Sequence, residues 1–193
     1  MIPIALLLFA GVGPTPAAQK KPVIAVVIIG DAPRSMIDEL APILGETFDA
    51  AIVAALPLAL PASSWNASRR QYSSTKLLDA LASIKRPEWE RLLGIADVDL
   101  YVPELNFVFG EADSRRGVAV FSLARLRAGA DDALFARRAA TEAVHELGHT
   151  YGLSHCDKPT CVMWFSNTLS ESDRKGTRFC PEHQKELEQN RGR

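Results

Sequence analysis

The stretch HELGHTYGLSHC, residues 145–156, gathers three of the chain's four histidines, a glutamate and one of its three cysteines. The residues before it, DDALFARRAATEAV (131–144), read as a helix with Asp caps that runs on to a stop at Gly152, so the window falls on the last turns of a long helix. Residues four apart share a helix face, so His145 and His149 present two imidazoles on one side. Gly152 permits a backbone conformation that side chains resist, which turns the chain sharply and brings His155 back under the same point. Three neutral imidazoles leave the fourth position of a zinc ion open to water, the mark of a catalytic rather than a structural site. Glu146, offset around the helix from the pair, is placed to activate that zinc-bound water and pass its proton to a leaving amine. The chemistry implied is amide hydrolysis. A histidine pair at this spacing can also simply cap or solvate a helix. The added Gly and third His weigh against that, since all five fixed residues coincide by chance in on the order of one window in ten million.

The remaining metal-type donors lie just downstream. Cys156 follows the third histidine, Cys161 comes after DKPT, and Cys180-Pro-Glu-His183 forms a C-x-x-H. Three thiolates and an imidazole make the closed tetrahedral set of a structural zinc, a clamp suited to a C-terminal part with little core of its own. The alternative is three unpaired buried thiols and an exposed His183. An odd cysteine count argues against a disulfide framework. Two zinc ions are therefore expected, one catalytic and one structural.

Working outward, KPVIAVVIIGD (21–31) is an unbroken β-branched run and reads as a buried central strand. RSMIDELAPILGETF (34–48) has helical spacing, with Pro42 expected to kink or shorten it. DAAIVAALPLALP (49–61) supplies a second strand, so the first sixty residues suggest a parallel β-α-β unit. SSTKLLDALASI (73–84) is a Ser-capped helix. The segment 97–126 holds three short strands, the last two flanking GEADSRRG as a hairpin loop. Past Gly152, only 181–190 looks helical, with Pro181 in its first turn. The fold class is α+β. Weaker candidates are Tyr151, as oxyanion support or simple packing, Trp164 near the metal, Asp173 capping a turn, and Arg69, Arg70, Gln71 and Tyr72 as a solvated helix cap.

At 193 residues and 47% hydrophobic, the chain supports one sizeable core. Residues 20–193 are expected to form a single domain, with a sheet-and-helix part to residue 152 and a C-terminal part over 153–193. A net charge of −1 without a basic stripe argues against nucleic acid as a partner. No later apolar run is long enough to span a bilayer, and a monomer is expected. At the start, MIPIALLLFAGVGPTPAAQKKP has an apolar core followed by small residues, the order of a secretory signal, though it lacks a positive charge beside Met1. Residues 1–19 are expected to be a signal peptide or a disordered start. The first would make the protein secreted or periplasmic, the second cytoplasmic.

HELGHTYGLSHCDKPTCVM (145–163) resembles the signature of the archaemetzincins, a branch of the metzincin zinc peptidases. RRQYSSTKLLDAL, DLYVPELNFVFGEAD, GVAVFSLARL and FSNTLSESDRKGTRFC are similar to family segments too, so the likeness runs from residue 21 onward. The resemblance implies His145, His149 and His155 as catalytic zinc ligands, Glu146 as general base, and Met163 as the Met-turn methionine beneath the site. It implies a twisted mixed sheet with two helices packed on it, closed by a small zinc-clamped C-terminal part. It also implies that an extended peptide adds along an edge strand near Phe107 to Gly110. One position departs: the family ends C-x-x-C, whereas His183 stands here, and imidazole can replace thiolate on zinc. The expected activity is zinc-dependent hydrolysis of peptide or protein substrates, with cleavage at the amino end of short peptides as a narrower form. The alternatives are a catalytically silent, zinc-stabilised peptide-binding module and a zinc amidohydrolase acting on other amides.

Overall fold

Val23–Ile29 forms strand β1, buried on both faces from Ile24 onward, in a computed structural model that describes residues 21–191. The expected export signal over residues 1–19 lies outside the described residues. Helix α1 (Ser35–Phe48) follows, and β2 (Ala51–Ala54) pairs parallel to β1, so the β-α-β unit forms as its pattern dictates. Pro42 does not shorten α1. Pro42 and Asp38, whose carbonyl loses its donor, are both exposed, so water can satisfy that group.

Two short strands, β3 (Trp65–Asn66) and β4 (Gln71–Ser73), precede α2 (Ser74–Ile84), whose Ser73 cap accepts from the Lys76 N–H. Next come β5 (Arg91–Ala96), β6 (Leu100–Tyr101), β7 (Gly110–Asp113) and β8 (Val118–Ser122). The main sheet has the order β2-β1-β5-β8-β7, all parallel except β7, which runs antiparallel to β8 at the edge. Strands β3, β4 and β6 form a small second sheet.

Two differences from the sequence pattern stand out. RLLGIA, in a segment assigned no structure from sequence, is the fully buried middle strand β5. GEADSRRG is only half a loop: its first four residues are β7, and the turn occupies 114–117. The edge strand accordingly begins at Gly110 rather than ending there.

Alternating side chains divide the core across the sheet. Ile24, Val26, Ile28, Leu93, Ile95 and Phe121 pack with α1 and α3 (Asp132–Thr150), while Val27, Ile29, Leu92 and Val120 pack with α2. The sheet thus carries three helices, two on one face and one on the other. Each Leu or Ile so buried contributes about 1.5–3 kcal/mol. From Gly152 to residue 191 the chain is irregular apart from α4 (Leu169–Ser172) and α5 (Pro181–Asn190). Leu153, Val162, Met163 and Leu187 of this part join the core on the α3 face. No helix among the described residues is long and apolar enough to cross a membrane.

Candidate metal centre and cleft

Helix α3 begins where Asp131 accepts the Leu134 N–H at 2.8 Å and ends just before Gly152, whose φ of +82° makes the left-handed turn that releases the chain from the helix. His145 and His149 sit on its last turns. The Nδ1 of His145 lies 2.7 Å from the Val162 carbonyl, and that of His149 lies 2.8 Å from the Leu153 carbonyl. A carbonyl only accepts, so each Nδ1 carries the proton and each Nε2 offers a lone pair. These two Nε2 atoms face each other at 3.1 Å. Two acceptors at that distance repel unless a cation lies between them. Tetrahedral zinc with bonds of about 2.0–2.1 Å would set two nitrogens about 3.3 Å apart. The His155 ring stands 4.8 Å from that of His149, and the ligand atoms of all three residues lie within 4.8 Å of one another. The donor set fits a zinc ion.

Burial holds these imidazoles neutral. It pushes His145 well below the usual histidine range and His149 down to about 4, with a smaller effect on His155. The charge of Lys175 acts in the same direction on all three. Met163 is buried beneath the helix. A Cβ on Gly148 would meet its Sδ at 2.6 Å, so the glycine between the two histidines is what lets this segment pack so close.

The Glu146 carboxylate lines the same cleft and makes no hydrogen bond among the described residues. Burial, then the neighbouring Glu142, raises its carboxyl well above the ordinary carboxylate range. A base of raised pKa is suited to accept a proton near neutrality. Gly110, at the start of the edge strand, is packed against it: a Cβ there would fall 2.6 Å from Glu146 Cγ, Cδ and Oε1.

The cleft encloses ≈ 760 Å³ between residues 102–112 on one side and Phe165, Ser166 and Asn167 on the other. Leu105 and Phe165 expose apolar surface at its rim. Residues 102–107 are held from outside. Arg69 donates to the Leu105 carbonyl, Gln71 to the Asn106 carbonyl and Asp99, and Arg125 to Asp99 while stacking on Phe107. Arg69 and Gln71 are therefore braces of the cleft wall rather than parts of a solvated cap.

The structure also places the three remaining weaker candidates. Tyr151 points away from the cleft and packs against Phe48 and Arg91, so it offers no oxyanion support. Trp164 lies outside the cleft lining and bridges to Cys156 in the backbone. Asp173 stands at the C-cap of α4, its N–H donating to the Leu169 carbonyl at 2.8 Å, and its carboxylate also receives two bonds from Arg138 of α3, both 2.7 Å, which dock the segment. One residue further back, the Ser172 hydroxyl donates to Glu142 at 2.8 Å.

Cys156, Cys161, Cys180 and His183 converge separately, their ligand atoms also within 4.8 Å of one another. Cys156 and Cys180 Sγ are 3.9 Å apart, and His183 Nδ1 is 3.3 Å from Cys180 Sγ and 4.0 Å from Cys161 Sγ. Zinc–sulfur bonds of about 2.3 Å imply separations of about 3.5–3.8 Å in a tetrahedral set, close to these. His183 Nε2 lies 3.0 Å from the Ser154 carbonyl, which puts the proton there and leaves Nδ1 as the donor atom. Burial pushes the Cys161 thiol up to about 11. A metal entering this cluster would displace that proton.

Residues 34–189 match peptidase family M54. An archaemetzincin of Pyrococcus furiosus is 36% identical over 182 residues, which cover 88% of this chain and 94% of that one. The crystal structure of the Methanopyrus kandleri archaemetzincin superposes with a TM-score of 0.83 at 36% identity, covering 93% of this chain and 100% of that one. A zinc-dependent peptidase from Methanocorpusculum labreanum superposes with a TM-score of 0.76 at 27% identity, covering 85% of this chain and 99% of that one. A protein with this sheet, this histidine cluster and these relatives belongs to peptidase family M54, the archaemetzincin zinc metallopeptidases.

Proposed function

We propose that this chain hydrolyses peptide bonds with a zinc ion held by His145, His149 and His155 and with Glu146 as general base, and that Cys156, Cys161, Cys180 and His183 hold a second, structural zinc. The observation that carries this reading is the pair of proton-locked imidazoles whose free nitrogens meet at 3.1 Å beside an unengaged carboxylate. When bound, the catalytic metal supplies a Lewis acid that polarises the scissile carbonyl and acidifies water. Glu146 takes one proton from the attacking water as the new C–O bond forms. It then delivers that proton to the departing nitrogen as the C–N bond breaks. The substrate lies extended along β7, whose outer edge pairs with no other strand of the sheet, and adds to it by backbone hydrogen bonds. Met163 fills the space beneath the imidazoles without contacting substrate, and the working unit is a monomer.

Zinc-loaded protein should cleave members of a broad peptide library, while Glu146→Ala should keep both zinc equivalents and lose cleavage. The cleavage products also show whether residues leave from the amino end of short peptides. Wild type and variant equally inert across the library would favour the silent binding module instead.

A further inference from the structure

Lys175 is a buried cation in the cleft wall with unspent donors. It is 3% exposed, yet it lines the same cleft as His145 and Glu146. Its ion-pair partner, Glu142 Oε1, stands 3.6 Å away, beyond hydrogen-bond reach, and that oxygen already accepts from Ser172. Among the described residues the ammonium makes no side-chain hydrogen bond. Burying a charge in this state is unfavourable, and an acceptor entering from the cleft would relieve it.

The position is built rather than incidental. Arg138 grips both Asp173 oxygens at 2.7 Å, and Ser172 bonds Glu142, so the segment leading to Lys175 is fastened to α3 at two points just before His145. Lys175 is also the sole Lys or Arg lining the cleft among the described residues. Of the carboxylates there, Glu111 is engaged by the Ser74 and Thr75 hydroxyls, and Glu146 is the proposed base.

We infer that Lys175 is a specificity residue that binds a carboxylate of the substrate, so that the cleft selects peptides carrying negative charge beside the scissile bond. The carboxylate is either the free carboxyl end of a short peptide or an Asp or Glu side chain. The inference rests on the proposed peptidase reading for its orientation in the cleft. The simpler alternative is that Lys175 only neutralises Glu142.

The test uses the zinc-loaded full chain and two matched sets of quenched peptides. One set differs only in a free or amidated carboxyl end, the other only in Asp against Asn next to the cleaved bond. Wild type should prefer the acid in at least one set by about tenfold or more in kcat/KM, and which set responds identifies the source. Lys175→Met should bring that ratio close to one, and Lys175→Arg should retain most of it. Equal rates on both members of both sets in wild type, which needs no variant to fold, would overturn the inference. So would a preference that survives in folded Lys175→Met. Binding of the same peptides, read by fluorescence anisotropy, separates this from the peptidase reading. A protein that cleaves nothing but prefers acids through Lys175 loses only the catalytic proposal. One that cleaves without preference loses only this one.

Discussion

Gly110→Ala should separate catalysis from folding. Gly110 lies in β7 without a positive φ, so alanine there adds no backbone strain. Removing a strand glycine instead stabilises by up to about 1 kcal/mol. The new methyl would sit 2.6 Å from three atoms of Glu146, where ordinary contact begins at 3.4 Å, a shortfall of about 0.8 Å. The strand is paired along β8 and cannot retreat cheaply, so the carboxylate must move. Displacing a reacting group by about 1 Å costs on the order of a hundredfold in rate. The expected result is a fall in kcat/KM of about 10–100-fold, equivalent to about 1.4–2.7 kcal/mol. The thermal midpoint should change by only a few degrees, because the net stability change is within about 1 kcal/mol. Zinc content should also be unchanged, because no imidazole is touched. Steady-state kinetics, calorimetry and metal analysis on one preparation measure all three. Activity within threefold of wild type would refute the placement of Glu146 against the edge strand. Activity lost together with zinc would refute the idea that the substitution acts on the base alone.

Breaking the Arg138–Asp173 pair with Asp173→Asn should destabilise the protein by about 2 kcal/mol in urea unfolding, because Arg138 is left buried without its charged partner. The same pair has a defined pH dependence. Its bonds with Arg138 hold the Asp173 carboxyl below 3.8, so its contribution is present above the unfolded value and is lost as pH falls through the folded one. The stability gap between wild type and Asp173→Asn should therefore narrow as pH falls through and below the ordinary carboxylate range; a gap independent of pH would count against the pair. His183→Ala should reduce bound zinc from two equivalents to one and lower the thermal midpoint, while His183→Cys should restore both. Unchanged stoichiometry in His183→Ala would remove His183 from the ligand set.

What could be read without coordinates was local. The spacing of His145 and His149, the stop at Gly152 and the return of His155 follow from helix geometry and one turn. The convergence of these three rings is therefore written in eleven consecutive residues, 145–155. The unbroken run of β1 and the caps of α2 and α3 were legible for the same reason. Pro42 misled because its effect depends on whether the broken bond faces water. Strand β5 is buried on both faces like β1, but Arg91 and Gly94 break its short apolar run, and β7 opens at a glycine and is mostly polar, so neither carries a clear strand pattern.

Everything that makes the histidine cluster into a cleft was decided by packing. Gly110 meets Glu146, Lys175 meets Glu142, Asp173 meets Arg138, and Gln71 meets the Asn106 carbonyl, across separations of 33–36 residues. Nothing in the intervening chain specifies such contacts. They exist because the sheet places β7 beside α3 and because the C-terminal part folds back over that helix. A sequence can encode a metal-binding turn by local geometry alone, whereas the walls around it come into being only when distant segments pack together.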